Sequence, residues 1–130
     1  MIQCISGTCW VFGDPHYVSF DDLKYAFQGS CRYWLAKAID GTFSVQVENV
    51  PCGTTGVTCT KSVEIMIKDT RIHLIRGENV KIGNTQLNEQ YVSEGLVVST
   101  YSYWTSIVAK YLGIEVLWDG GMLRIYVTIL

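Results

Sequence analysis

Long apolar runs, clustered charge of either sign and histidine are all scarce in this 130-residue chain, and each scarcity removes a class of function. No stretch approaches the roughly 20 apolar residues that carry a helix across a bilayer; the closing run 122–130 is short and broken by Arg124. No two Lys or Arg are adjacent, and the longest acidic run is Asp21-Asp22. Ten basic against twelve acidic residues leave a net charge of −2, without the basic stripe that phosphate backbones require. Nucleic acid and a membrane span are thereby set aside. Gly-x-Ser-x-Gly, a glycine-rich phosphate loop and His-Glu-x-x-His are all missing, so no enzyme acting on a diffusible substrate is expected. Asn-x-Ser/Thr is missing too, which leaves no acceptor for N-glycosylation. The opening Met1-Ile2-Gln3-Cys4 has no basic head and apolar stretch, so the expectation is a piece of a longer parent with its signal upstream.

What is present suits one globular domain. The hydrophobic fraction is 48% and the charged fraction 17%. A domain of this size removes roughly two-thirds of its unfolded surface from water, enough for a real core. Five cysteines are many for a reduced cytosolic protein, and an odd count leaves at least one thiol without an internal partner.

The dominant pattern has period two. Phe43, Val45 and Val47 alternate with Ser44, Gln46 and Glu48; Val63, Ile65 and Ile67 with Glu64, Met66 and Lys68; Leu123, Ile125, Val127 and Ile129 with Arg124, Tyr126 and Thr128. Successive strand side chains point to opposite faces, so each segment has a core face and a wetter face. Turn signals part the segments at Asp40-Gly41, Cys52-Gly53, Lys68-Asp69, Arg76-Gly77-Glu78, Gly83-Asn84 and Asp119-Gly120-Gly121. Only Ser106–Leu112 suits a helix, and it suits a strand equally well. The fold class expected is all-β: an antiparallel two-sheet sandwich of many short strands. His73 falls on the polar phase of a strand and reads as a surface residue, not a ligand or base.

One stretch carries a family likeness. Cys9 precedes Gly13-Asp14-Pro15-His16-Tyr17, then Ser19-Phe20-Asp21, Tyr25-Ala26-Phe27-Gln28-Gly29 and Cys31-Arg32-Tyr33. Further elements follow in order: Phe43–Asn49, the loop Cys52–Cys59, Lys61-Ser62-Val63, Ile72-His73-Leu74 and Gly113–Gly120. Together they resemble the von Willebrand factor type D domain over nearly the whole chain. The Gly-Asp-Pro-His-Tyr and Phe-Gln-Gly segments are most similar to modules of zonadhesin, IgG Fc-binding protein, alpha-tectorin and gel-forming mucins. The resemblance implies a domain over 9–130, with 1–8 a linker or the end of a preceding module. It further implies a secreted, extracellular structural and adhesion module whose partners are other extracellular proteins or neighbouring cysteine-rich modules. Asp22 stands where the family usually has Gly, and Ser99–Ile107 is longer than the usual connection, as an extra hairpin or an exposed contact loop. The cysteine-rich continuation typical of the family lies beyond Leu130.

The resemblance also sets expectations for chemistry. A short Gly/Thr loop between strands brings Cys52 and Cys59 within disulfide reach, as in the family. Cys9 and Cys31 resemble cysteines whose partners lie in the continuation, so in this chain they are expected to be orphaned, mispaired or buried as thiols; Cys4 belongs to the linker or pairs with Cys9. Asp21 matches a calcium ligand, but calcium takes six to eight oxygens, so no cofactor is expected here and calcium belongs to the longer parent. The Asp14-Pro15 bond is intrinsically fragile: the carboxylate attacks its own carbonyl while His16 protonates the departing proline nitrogen. Self-cleavage there is one reading and a plain turn into a strand the other. A lipid-carrier module of the vitellogenin type is a further alternative, and it calls for a broad apolar surface. Tyr101, Tyr103 and Trp104 suit either core packing or an exposed interaction patch.

Overall fold

The computed structural model describes residues 7–12, 16–18, 24–26, 32–38, 40–51, 58–76, 79–101, 104–120 and 124–129, with the backbone alone at 7–12, 16–18, 24–26, 33, 58 and 124. Strands follow one another as β1 (Gly7–Phe12), β2 (His16–Val18), β3 (Lys24–Ala26), β4 (Arg32–Lys37), β5 (Phe43–Pro51), β6 (Thr58–Ile67) and β7 (Thr70–Ile75). Then come β8 (Asn79–Ile82), β9 (Thr85–Gln86), β10 (Gln90–Ser93), β11 (Leu96–Thr100), β12 (Thr105–Ala109), β13 (Ile114–Asp119) and β14 (Arg124–Ile129). They form two antiparallel sheets: an eight-stranded one ordered β10-β11-β12-β13-β14-β1-β2-β3 and a six-stranded one ordered β4-β5-β6-β7-β8-β9.

Alternation decides which residues meet between the sheets. From the six-stranded sheet come Phe43, Val45, Val47, Val63, Ile65, Ile67, Ile72 and Leu74; from the other, Val98, Ile107, Val116, Trp118, Ile125 and Val127. These belong to one continuous core. Burying each aliphatic or aromatic side chain stabilises the fold by about 1.5–3 kcal/mol before conformational entropy is subtracted. Two buried polar atoms stand out among the described residues: Trp118 Nε1, in the core, and His73 Nε2, outside it, have no hydrogen-bond partner.

Turns form where the sequence is permissive. Gly41 (φ 77°) follows Asp40, whose carboxylate accepts from the Thr42 amide at 3.1 Å and its hydroxyl at 2.7 Å. Those bonds hold the Asp40 carboxyl below its usual pKa. Ser106–Leu112 divides: β12 runs to Ala109, and a single 3-10 turn, Lys110–Leu112, ends on Gly113 in the left-handed region. Ile107 and Ala109, buried with Thr105 on one face, place the first part in the sheet.

His73 departs from the expectation of a plain surface residue. It sits on the outer face of the six-stranded sheet, in register with Glu64 of β6 and Lys81 of β8, and is half-buried. Desolvation first, and Arg71 second, lower its pKa from the ordinary histidine value.

Candidate functional site

The two outer faces differ. The six-stranded sheet carries an ion-pair lattice: Arg32 reaches Glu48 at 3.4 Å and Glu64 at 3.5 Å, Arg71 reaches Glu64 at 2.8 Å, and Lys61 reaches Glu48 at 3.8 Å. Glu48 also accepts from the Ser62 hydroxyl at 3.3 Å. Such solvent-exposed pairs contribute roughly 0–1 kcal/mol each, so the lattice says more about surface character than stability. At the β4 edge Lys37 lies 4.7 Å from the Trp34 ring centroid.

The eight-stranded sheet presents a different feature. β11 and β12 form a hairpin with Thr100 opposite Thr105, closed by the Tyr101 amide donating to the Trp104 carbonyl at 2.8 Å. At its tip the Tyr101 and Trp104 rings stack, centroids 5.1 Å apart and planes inclined by 25°. Both remain in solvent, 54% and 43% exposed. The rings are thus held against each other, and outside the core, where that hydrogen bond closes the hairpin. Ser99–Ile107 is accordingly part of a main-sheet hairpin, and strand alternation through Tyr101 does not apply because the residue lies past the end of β11. Tyr103 lies outside the described residues.

The register locates the other candidates. Thr105 pairs with Trp118, Trp118 with Ile125, and Ile125 with Val11, so the β11–β12, β13–β14 and β1–β2 connections leave the same end of the sheet. His16 opens β2 opposite Phe12 at that end. Four strand spacings separate β2 from β12, about 19 Å. His16 and the aromatic tip are therefore not one site. Asp14, Pro15 and Asp21 lie outside the described residues, as do Cys4, Cys31 and Cys52. Cys9 occupies a β1 position opposite Val127, and Cys59, in β6 opposite Val50, is disulfide-bonded. No group of three or more His, Cys, Asp or Glu suited to a metal occurs among the described residues. No helix among them is long and apolar enough to cross a membrane.

One set of features escaped the sequence reading. Among the described residues β10 is the last strand at one edge of its sheet, with Val92 65% exposed, and its turn to β11 uses Glu94 (φ 47°) and Gly95 (φ 83°). Both signs of φ are those of a type I′ hairpin, for which Glu is an uncommon first residue.

Comparison with known proteins agrees with this architecture. Residues 9–129 match the model of the von Willebrand factor type D domain. The chain is 41% identical to SCO-spondin of Gallus gallus over 98% of its own length, 33% to Mucin-5B of Homo sapiens over 87%, and 31% to zonadhesin of Homo sapiens over 95%. It spans 2%, 2% and 4% of those relatives, respectively. Zonadhesin and mucins were among the likenesses seen in the motifs; SCO-spondin was not. An all-β two-sheet fold, the ordered motifs and the family match over 9–129 all agree: this chain belongs to the von Willebrand factor type D domain family.

Proposed function

We propose that this domain is a structural and protein-interaction module of a secreted, extracellular glycoprotein, working through its surface and not by turnover. Membership of a family found in extracellular glycoproteins supports the extracellular setting. The observation that carries the interaction reading is the stacked Tyr101–Trp104 pair, held in solvent at a hydrogen-bonded hairpin tip. Tyr and Trp supply large contact area with few rotatable bonds, so a stacked exposed pair is suited to anchoring a partner. The occupant we infer is a neighbouring cysteine-rich module or another extracellular chain. The lipid-carrier alternative calls for a broad apolar surface, whereas the six-stranded sheet's outer face bears ion pairs.

The test is association, in solution, between the domain and the segments that adjoin it in its parent. A Y101A/W104A double variant should keep its fold and weaken that association at least tenfold. Unchanged association would remove the tip from the account.

A further inference from the structure

Sheet edges are where a β domain is open to another chain, and this one treats its edges unequally. β9 has two residues and β3 has three, beginning with Lys24. β4 is bulged between Trp34 and Ala36 and carries Arg32 and Lys37. β10, Gln90-Tyr91-Val92-Ser93, has no charge, no proline and no bulge.

Its backbone polarity follows from the pairing. The two-residue turn makes Ser93 and Leu96 a hydrogen-bonded pair, and the Thr100 amide donates to the Glu89 carbonyl at 3.2 Å. Hydrogen-bonded pairs alternate along an antiparallel ladder. Tyr91 and Ser93 therefore spend their amides and carbonyls on β11, as Glu89 does its carbonyl, while Gln90 and Val92 turn theirs outward. Tyr91 packs on the core, and the Gln90 side-chain Nε2 donates to the Ser99 hydroxyl at 3.1 Å. The strand is thus fixed in place, and its outward side has no neighbouring strand among the described residues. On the outer face Val92, Val97 and Val108 form a cross-strand row that an added strand would extend.

Charge selects the occupant. Exposed Glu89 and Glu94 bracket the strand. A second copy in the best-overlapping antiparallel register sets Gln90 against Val92 and Tyr91 against Tyr91. It thereby brings Glu89 of each strand diagonal to Glu94 of the other, within the roughly 8 Å over which charges act at physiological salt. Like charges so placed oppose self-pairing, and basic residues there favour it.

The geometry points to β10 as a strand-addition site for an extended partner segment with an apolar centre and Lys or Arg at each end. This rests on the interaction-module reading and names a second surface of it, distinct from the aromatic tip. Main-chain hydrogen bonds from Gln90 and Val92 would supply affinity, and Glu89 and Glu94 the choice of partner.

The probe is a capped peptide, Lys-Thr-Val-Val-Thr-Lys, titrated into the whole domain while backbone amides are followed by NMR. Shifts should centre on Gln90 and Val92, weaken with salt, and be at least tenfold weaker for Glu-Thr-Val-Val-Thr-Glu. Val92→Pro removes an outward amide and no β11 bond, so it should keep the fold and lose the peptide. Glu89→Lys should lose the peptide and, now self-complementary, shift the domain toward dimer. Equal binding of the two peptides, or full binding by Val92→Pro, overturns the proposal. With the parent segments as ligand, loss in Y101A/W104A but not in Val92→Pro also overturns it while sparing the interaction reading. No loss in either variant ends both.

Discussion

The ring of Tyr111 lies against Gly95 so closely that a β-carbon on the glycine would meet Tyr111 Cδ1 at 3.0 Å. Lys68, from the β6–β7 turn, covers the same ring at 4.7 Å from its centroid. The 3-10 turn, the β10–β11 turn and the opposite sheet are thus joined through one aromatic side chain at the end of the sandwich away from the Tyr101–Trp104 tip.

This contact yields a paired prediction. Gly95→Ala suffers both the left-handed backbone and the ring, whereas Gly41→Ala, at φ 77°, has nothing within 4 Å. Both should lower stability, Gly41→Ala by about 1 kcal/mol and Gly95→Ala by about 2 kcal/mol. Chemical denaturation of the two variants measures the difference, which is the ring contact. Equal losses would show that Tyr111 simply swings aside.

His73 gives a pH dependence with a definite sign. Its pKa in the folded domain is lowered, chiefly by burial, so the unfolded chain binds the proton more readily. The stability tied to neutral His73 is complete above its unfolded value of about 6.5 and is lost as pH falls through that value toward the lower folded one. The facing groups are Glu64 and Lys81 across the strands, with Arg71, Arg32 and Glu48 nearby. Thermal midpoints should fall between pH 7 and 5 in the wild type and fall less in His73→Gln. A parallel decline in both proteins would assign the effect to other groups.

Trp118 should tolerate one large-looking change. Its ring fills the core, but its indole N–H has no partner there. Trp118→Phe removes that unsatisfied donor, worth about 1–3 kcal/mol, against a cavity of similar cost, whereas Trp118→Ala should lose about 3–5 kcal/mol. Urea unfolding of the two variants separates ring packing from the polar atom.

Cys59 is disulfide-bonded, and we assign its partner as Cys52. A loop that short should contribute about 2–3 kcal/mol on the chain-entropy view. Cys59→Ser should lower stability by that amount, and peptide mapping should recover the two cysteines on one linked fragment. Linkage of Cys59 to any other cysteine would contradict the assignment.

The sequence was a good guide where side-chain period alone settles structure. Phe43-Val45-Val47 and Val63-Ile65-Ile67 announce strands with one buried face because alternation is local. Strand order is not local. Nothing in Gln90-Tyr91-Val92-Ser93 says that it ends a sheet, since an edge is defined by the neighbour it lacks. Its turn also escaped, because Glu94 at positive φ is not a residue chosen for that conformation. Alternation placed His73 on the outer face but could not foresee that flanking strands would cover Nε2. The aromatic tip was legible as unusual composition, while its exposure depended on where β11 stops.

Placing a photo-crosslinking phenylalanine derivative at position 104 in the intact parent protein addresses the interaction account most directly. The account predicts a covalent adduct to another extracellular segment, in clear excess over the same group placed at Lys81 on the charged face. No adduct at 104, or equal yield at the two positions, would contradict it.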